Sequence, residues 1–183
     1  MTHLSNAEMT VLSLVAEKSC HGYEMEQIIE QRGVREWTEL GFSSIYFLLH
    51  KLECSKFIRS RLEPSGGKGP ARKIYSITAA GHAELVSAIF DSLSTPRPCR
   101  LPIQLGLANL PMIEEAAAAD ALARYQDQLK DRISQIEQRW NSQKPLPFFV
   151  DAMFTHSLCL MRAELEWIRQ FRCDYFTKGT ENG

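Results

Sequence analysis

Seven basic side chains crowd into residues 50–75 of this 183-residue chain: Lys51, Lys56, Arg59, Arg61, Lys68, Arg72 and Lys73, opposed only by Glu53 and Glu63. That segment sums to +5, whereas residues 1–49 sum to −4 and residues 76–183 to −2. The net charge of −1 therefore hides one cationic island, the footprint of a localised contact with a polyanion. Glycines 66, 67 and 69 around Lys68 let the backbone approach a phosphate closely. The run Gly-Gly-Lys-Gly-Pro lacks P-loop spacing and joins two strand-like stretches, so nucleotide binding is dismissed. Other chemistry has few carriers: the chain holds no carboxylate pair in a Gly-framed loop, no nucleophile elbow and no His-Glu-x-x-His. Neither an enzyme nor a bound metal or cofactor is expected. The five cysteines are an odd set without Cys-x-x-Cys, read as free thiols packed as small apolar residues.

The elements that must position this island are helical at first. Ser5-x-x-Glu8 reads as a capping box, with Leu4 and Met9 placed for a hydrophobic staple. The helix it opens buries Met9, Leu12 and Ala16, widened by Val11, Leu14 and Val15, until Cys20-His21-Gly22 breaks it. A second helix is expected from about Tyr23 to Arg32, with Met25, Ile28 and Ile29 inward and Gly33 as its stop. The third begins near Ser43 and carries a core stripe of Ile45, Leu48, Leu49 and Leu52. Its opposite face collects Ser43, Phe47, His50, Lys51 and Cys54, with Ser44 and Tyr46 on the flanks. Such a face is either ordinary solvated surface or a recognition helix whose hydroxyls, His and Lys reach bases and phosphates.

The following segment favours recognition. Phe57–Glu63 and Lys73–Thr78 both alternate, and the turn-forming run between them makes a hairpin with a long basic tip. Three short helices and a basic hairpin are the layout of a winged helix-turn-helix. Leu4–Glu17, then His21-Gly22-Tyr23-Glu24, Ser44–Glu53 and Lys73-Ile-Tyr-Ser-Ile-Thr-Ala-Ala-Gly81 together resemble the PadR family of bacterial transcriptional regulators. Two positions depart from the family pattern: Phe47 stands where proline is usual, and Cys54 lies in a stretch usually charged. The resemblance implies that Tyr23, Ser43, Ser44, Tyr46, His50, Lys51, Lys68, Arg72 and Lys73 face DNA. Lys51, Lys68, Arg72 and Lys73 suit phosphates, Ser44 and His50 could touch bases, and Tyr46 could equally pack at the edge of the core.

Thr78 caps a fourth helix to about Leu93, with Leu85, Val86, Ile89, Phe90 and Leu93 apolar, and prolines 96 and 98 stop it. Residues 101–110 suggest a short helix, and Pro111 is expected to open a long one. The seam Leu122, Tyr125, Leu129, Ile133, Ile136 and Trp140 steps by 3, 4, 4, 3 and 4, as in a coiled coil. A last helix over Phe148–Phe176 sets Phe149, Met153, Leu158, Met161, Leu165, Ile168 and Phe171 among its apolar positions. Two such helices need a partner subunit or the winged domain to complete a core, and the PadR resemblance implies dimerisation through these C-terminal helices. The resulting expectation is a mainly α protein with a small β-hairpin. Its N-terminal winged helix-turn-helix spans 1–93, a linker 94–100, and an antiparallel helical dimerisation and effector-binding domain 101–183.

The expected function is a homodimeric repressor that binds double-stranded operator DNA and is released by a small aromatic effector. The resemblance implies such effectors, since related proteins sense phenolic acids or flat aromatic drugs; Glu166-Trp167-Ile168 also resembles a pattern in the family's longer members. Candidate effector contacts are Trp37, Trp140, Phe148, Met153, His156 and Trp167, with Arg162 and Arg169 available to a carboxylate. Two alternatives stay open. One is a thiol-based sensor using Cys54 between Lys51 and Lys56, with Cys159 and Cys173 packed in helices; the other is a winged helix serving protein contacts alone. No apolar run nears the ~18 residues of a membrane span, and the first residues do not resemble a secretory signal. A cytoplasmic location is the expectation.

Overall fold

The computed structural model describes residues 4–34, 38, 41, 44–64, 71–97 and 102–177. It is mainly helical with one small antiparallel sheet, and the chain divides into two compact units, Met1–Pro98 and Cys99–Gly183.

In the first unit, α1 (Asn6–Glu17) opens on a full capping box: the Glu8 amide donates to Ser5 Oγ at 3.2 Å, and the Ser5 amide donates to Glu8 Oε2 at 3.0 Å. Its buried apolar residues are Val11, Leu12, Leu14 and Val15, with Met9 and Ala16 at the half-buried margin, so the inward stripe is rotated from the one expected. Next comes β1 (Cys20–His21), a two-residue strand where the sequence showed only a break. It leads directly into α2 (Gly22–Gln31), which buries Met25 and Ile29 completely and ends before Gly33 at φ 61°. The expected stripe of α3 (Ser44–Cys54) is confirmed, with Ile45, Leu48, Leu49 and Leu52 all buried.

Strands β2 (Ile58–Glu63) and β3 (Arg72–Ile77) form the hairpin in a register that sets Ser60 opposite Tyr75 and Glu63 opposite Arg72. On the other edge of β3, β1 pairs Cys20 with Tyr75 and His21 with Ile74, so the hairpin is part of a three-stranded sheet in the order β1-β3-β2. Buried Tyr75 and Ile58 join the helices in one core. Thr78 ties off the sheet. Its hydroxyl accepts from the Gly81 amide at 3.0 Å, which starts α4 (Ala79–Ser94), and donates to Lys56 O at 2.7 Å. A Cβ on Gly81 would lie 2.0 Å from the Phe57 carbonyl oxygen, so only glycine permits this junction. Of the apolar residues named on α4, Leu85 is buried, whereas Val86, Ile89, Phe90 and Leu93 are exposed.

The second unit begins with α5 (Pro102–Ala108) and a single 3₁₀ turn, Leu110–Met112. Pro111 belongs to that turn; the long helix α6 (Glu115–Ser142) starts four residues later, with Glu114 as its N-cap. It packs against α7 (Phe148–Thr177) as a hairpin of helices joined by a short turn. The α6 seam buries Leu122, Ile133 and Ile136, with Ala118 added, and holds Tyr125, Leu129 and Trp140 half-buried. On α7 the inward residues are Phe154, Leu158 and Ile168, flanked by Met161 and Leu165. Two of the apolar positions named on this helix, Phe149 and Met153, are 58% and 46% exposed, and Phe154 takes the inward place.

Polar clasps fix the register of this hairpin. Tyr125 Oη donates to Glu164 Oε1 at 2.9 Å, Arg162 donates to Glu137 Oε1 at 2.6 Å, and Trp140 Nε1 donates to Asp151 Oδ1 at 2.8 Å. Burial first, then the Glu164 carboxylate, push the Tyr125 hydroxyl up to about 12. Cysteine placement also differs from expectation. Among the described residues only Cys20 is a packed thiol; Cys54, Cys159 and Cys173 are exposed.

Candidate nucleic-acid interface

Because α3 spends Ile45, Leu48, Leu49 and Leu52 on the core, its other side must face outward. Tyr46 is 56% and Phe47 67% exposed there, and His50, Lys51 and Cys54 are exposed with them. Lys51 bends back to α1, where its Nζ lies 2.9 Å from Glu8 Oε1. Burial raises the pKa of Glu8, but hydrogen bonds from Lys51 and Ser5 outweigh it, so the carboxyl stays below its ordinary range. The charge assigned to a phosphate thus also satisfies a buried carboxylate. Cys54 Sγ lies 3.7 and 3.8 Å from the two ring nitrogens of His50, one turn earlier.

Beside this face runs a groove of about 410 Å³ lined by His21, Gly22, Tyr23, Tyr46, Arg72, Lys73 and Tyr75. Three elements build it: the β1–α2 junction brings His21, Gly22 and Tyr23, the first turn of α3 brings Tyr46, and β3 brings the rest. Tyr23, 64% exposed at the start of α2, and Tyr46 offer two aromatic surfaces next to two cations. Tyr46 also lies directly over Gly22, where a Cβ would come within 2.6 Å of its ring. Packing and display are therefore both true of Tyr46. Burial holds the Tyr75 hydroxyl above its usual pKa, keeping it neutral in this groove.

The cations of the island are not equally available. Lys73 Nζ donates to Glu53 Oε2 at 2.7 Å, and Arg61 reaches Glu63 Oε1 at 3.0 Å. The Lys73 partnership holds the Glu53 carboxyl below its ordinary pKa, aided by a hydrogen bond from Ser60 Oγ, and raises that of Lys73. Arg59 and Arg72 are exposed and stand outside these pairs. Of the DNA-facing set, Tyr23, Tyr46, Arg72 and Lys73 meet in the groove, while His50 and Lys51 lie farther along α3. Ser44 Oγ donates to Gly41 O at 2.6 Å, so its hydrogen is spent on the turn that starts the helix. Ser43 and Lys68 lie outside the described residues. Sequence reasoning missed His21 as a groove wall because a two-residue strand is too short to show alternation, and Tyr75 because only the pairing of β1 with β3 brings it there.

The effector candidates do not converge. Trp37 lies outside the described residues. Trp140 is clasped by Asp151 and covered by Lys144, whose Nζ sits 3.8 Å from the ring centroid. Phe148 is 86% exposed and packs edge-on against Phe149. Trp167 lies 19 residues farther along α7, about 28 Å at 1.5 Å per residue, beyond the span of one small molecule. It stacks on Phe171, which stacks on Tyr175, and these three with Leu107, Leu110 and Pro111 line a separate groove of about 350 Å³. Met153 and His156 are exposed on the intervening stretch. Arg162 and Arg169 pair with Glu137 and Glu166.

Among the described residues no group of His, Cys, Asp and Glu is arranged to hold a metal ion, and no helix is long and apolar enough to cross a membrane. Residues 11–87 match the transcriptional regulator PadR-like family. No curated protein matches the chain. Among solved structures, Bacillus subtilis PadR in complex with operator DNA superposes with a TM-score of 0.72 at 19% identity, covering 91% of this chain and 96% of that one. The same protein in complex with p-coumaric acid gives 0.69 at 19% identity, with the same coverage of 91% and 96%. The protein smu.1604c from Streptococcus mutans UA159 gives 0.66 at 18% identity over 91% and 98% of the two chains. At these identities the likeness is one of fold.

Proposed function

From a chain whose residues 11–87 match the transcriptional regulator PadR-like family, we propose a homodimeric repressor that binds operator DNA in the cytoplasm and is released by a small aromatic effector. The observation that carries the DNA reading is the groove in which Tyr23, Tyr46, Arg72 and Lys73 meet, beside the exposed face of α3. Arg72 supplies a phosphate contact at the root of the wing, the tyrosines supply ring surface and hydroxyls, and α3 enters the major groove. Residues 1–93 act as the reading head and 101–183 as the coupling and effector unit. That Bacillus subtilis PadR has this fold and was crystallised with operator DNA supports the assignment.

Dimerisation is supported by a second seam on α7. Phe149, Met153, His156, Leu160, Ala163 and Trp167 follow one another at steps of 4, 3, 4, 3 and 4, and all six are exposed. At 100° per residue they fall within a stripe on the side turned away from Phe154, Leu158 and Leu165. A coiled-coil spacing that stays exposed from Phe149 to Trp167 among the described residues suits a second copy of the chain. The effector reading rests on the Trp167–Phe171–Tyr175 stack and its groove, and on the p-coumaric acid complex of Bacillus subtilis PadR. An effector that prefers a dimer with the wrong spacing of reading heads weakens DNA binding by the same factor by which DNA weakens effector binding.

The wing tests the proposal. Lys68→Ala with Arg72→Ala removes two phosphate contacts, so the log–log dependence of affinity on salt should flatten by about 2 for every DNA sequence. Fluorescence anisotropy across a salt series measures it; an unchanged slope means the wing does not touch the duplex.

A further inference from the structure

On α3 an aromatic ring is displayed where a soluble helix gains nothing from it. Phe47 is 67% exposed, the core stripe lies on the other side, and no charge or donor on its side chain could serve a phosphate. His50 and Cys54, one and two turns further on, continue the same outward stripe. The cationic groove begins on the flank, at Tyr46, with Arg72 and Lys73 beyond it. Phosphate-binding and apolar surfaces are thus separated on adjoining strips of one face. Among base edges in the major groove, the one apolar feature is the C5-methyl of thymine.

The geometry points to Phe47 as a specificity-determining residue that packs on a thymine methyl in each half-site, an inference resting on the DNA-binding reading above. His50, one turn along, then stands over the next base pair or the adjoining phosphate. The preference so produced is for T over C at one position, by methyl burial rather than by hydrogen bonding.

The test uses the full chain and a duplex selected with it from a randomised pool. Each thymine is replaced singly by deoxyuridine, which lacks only the C5-methyl, and dissociation constants are measured for the wild type and Phe47→Ala. At one thymine per half-site the wild type should bind about fourfold more weakly, the worth of one buried methyl, and Phe47→Ala should bind both duplexes equally. A flat scan in a wild type that still binds the selected duplex overturns the Phe47 inference alone, as does a penalty that persists in Phe47→Ala. Failure of the wild type to enrich any duplex overturns the DNA-binding reading and this inference with it.

Discussion

A hydrogen atom at position 22 decides where Tyr46 sits. The ring fills the volume a side chain would take, since a Cβ there would fall 2.6 Å from Cε1 and 3.0 Å from Cζ. Gly22→Ala should therefore destabilise the first unit by about 1–3 kcal/mol through overpacking, read by urea denaturation. Combined with Tyr46→Ala, which removes the obstructing ring, the same change should cost far less, a non-additivity expected of residues in contact. Equal costs in the two backgrounds would show that the ring moves aside freely. The sequence made Gly22 and Tyr46 visible as motif residues, but their contact joins positions 24 apart, which no local pattern encodes. Lys51 makes the same point: its outward position on α3 was legible, whereas its reach to Glu8 on α1 depends on how two helices cross.

Among the elements, the tie between α3 and β3 is ionic. Glu53 takes hydrogen bonds from Lys73 and Ser60, so one carboxylate joins α3 to both strands of the hairpin. Its pKa is lowered by folding, so its contribution is present above the ordinary value of 4.5 and is lost as pH falls through the depressed native value. Glu53→Gln should be less stable than the wild type at neutral pH, and the gap should close on acidification below 4.5. Thermal unfolding across that range measures it; a gap independent of pH would mean the charge is not what matters. The existence of α3, β2 and β3 was readable from periods of 3.6 and 2. The third strand was not, because two residues have no period; β1 exists only because β3 offers it an edge.

For the whole molecule, the exposed seam on α7 is the feature with the largest consequence. If the second copy covers it, sedimentation equilibrium should give about twice the 20.8 kDa of one chain, and Leu160→Lys, placing a charge in the middle of the seam, should shift the population toward monomer while leaving helix content intact. A wild type that sediments as one chain would remove the two-headed operator reading. Sequence alone determined the α6 hydrophobic seam, the winged arrangement and the concentration of positive charge, because each is a property of residues close together along the chain. Only tertiary structure decided which of the two α7 stripes turns inward, since both Phe154–Leu158–Leu165 and Phe149–Met153–Leu160 satisfy helical spacing and the choice depends on what α6 presents. It likewise decided which cations remain available to a polyanion: an ion pair such as Lys73–Glu53 or Lys51–Glu8 forms across elements, and distance in space, not order in the chain, sets its strength.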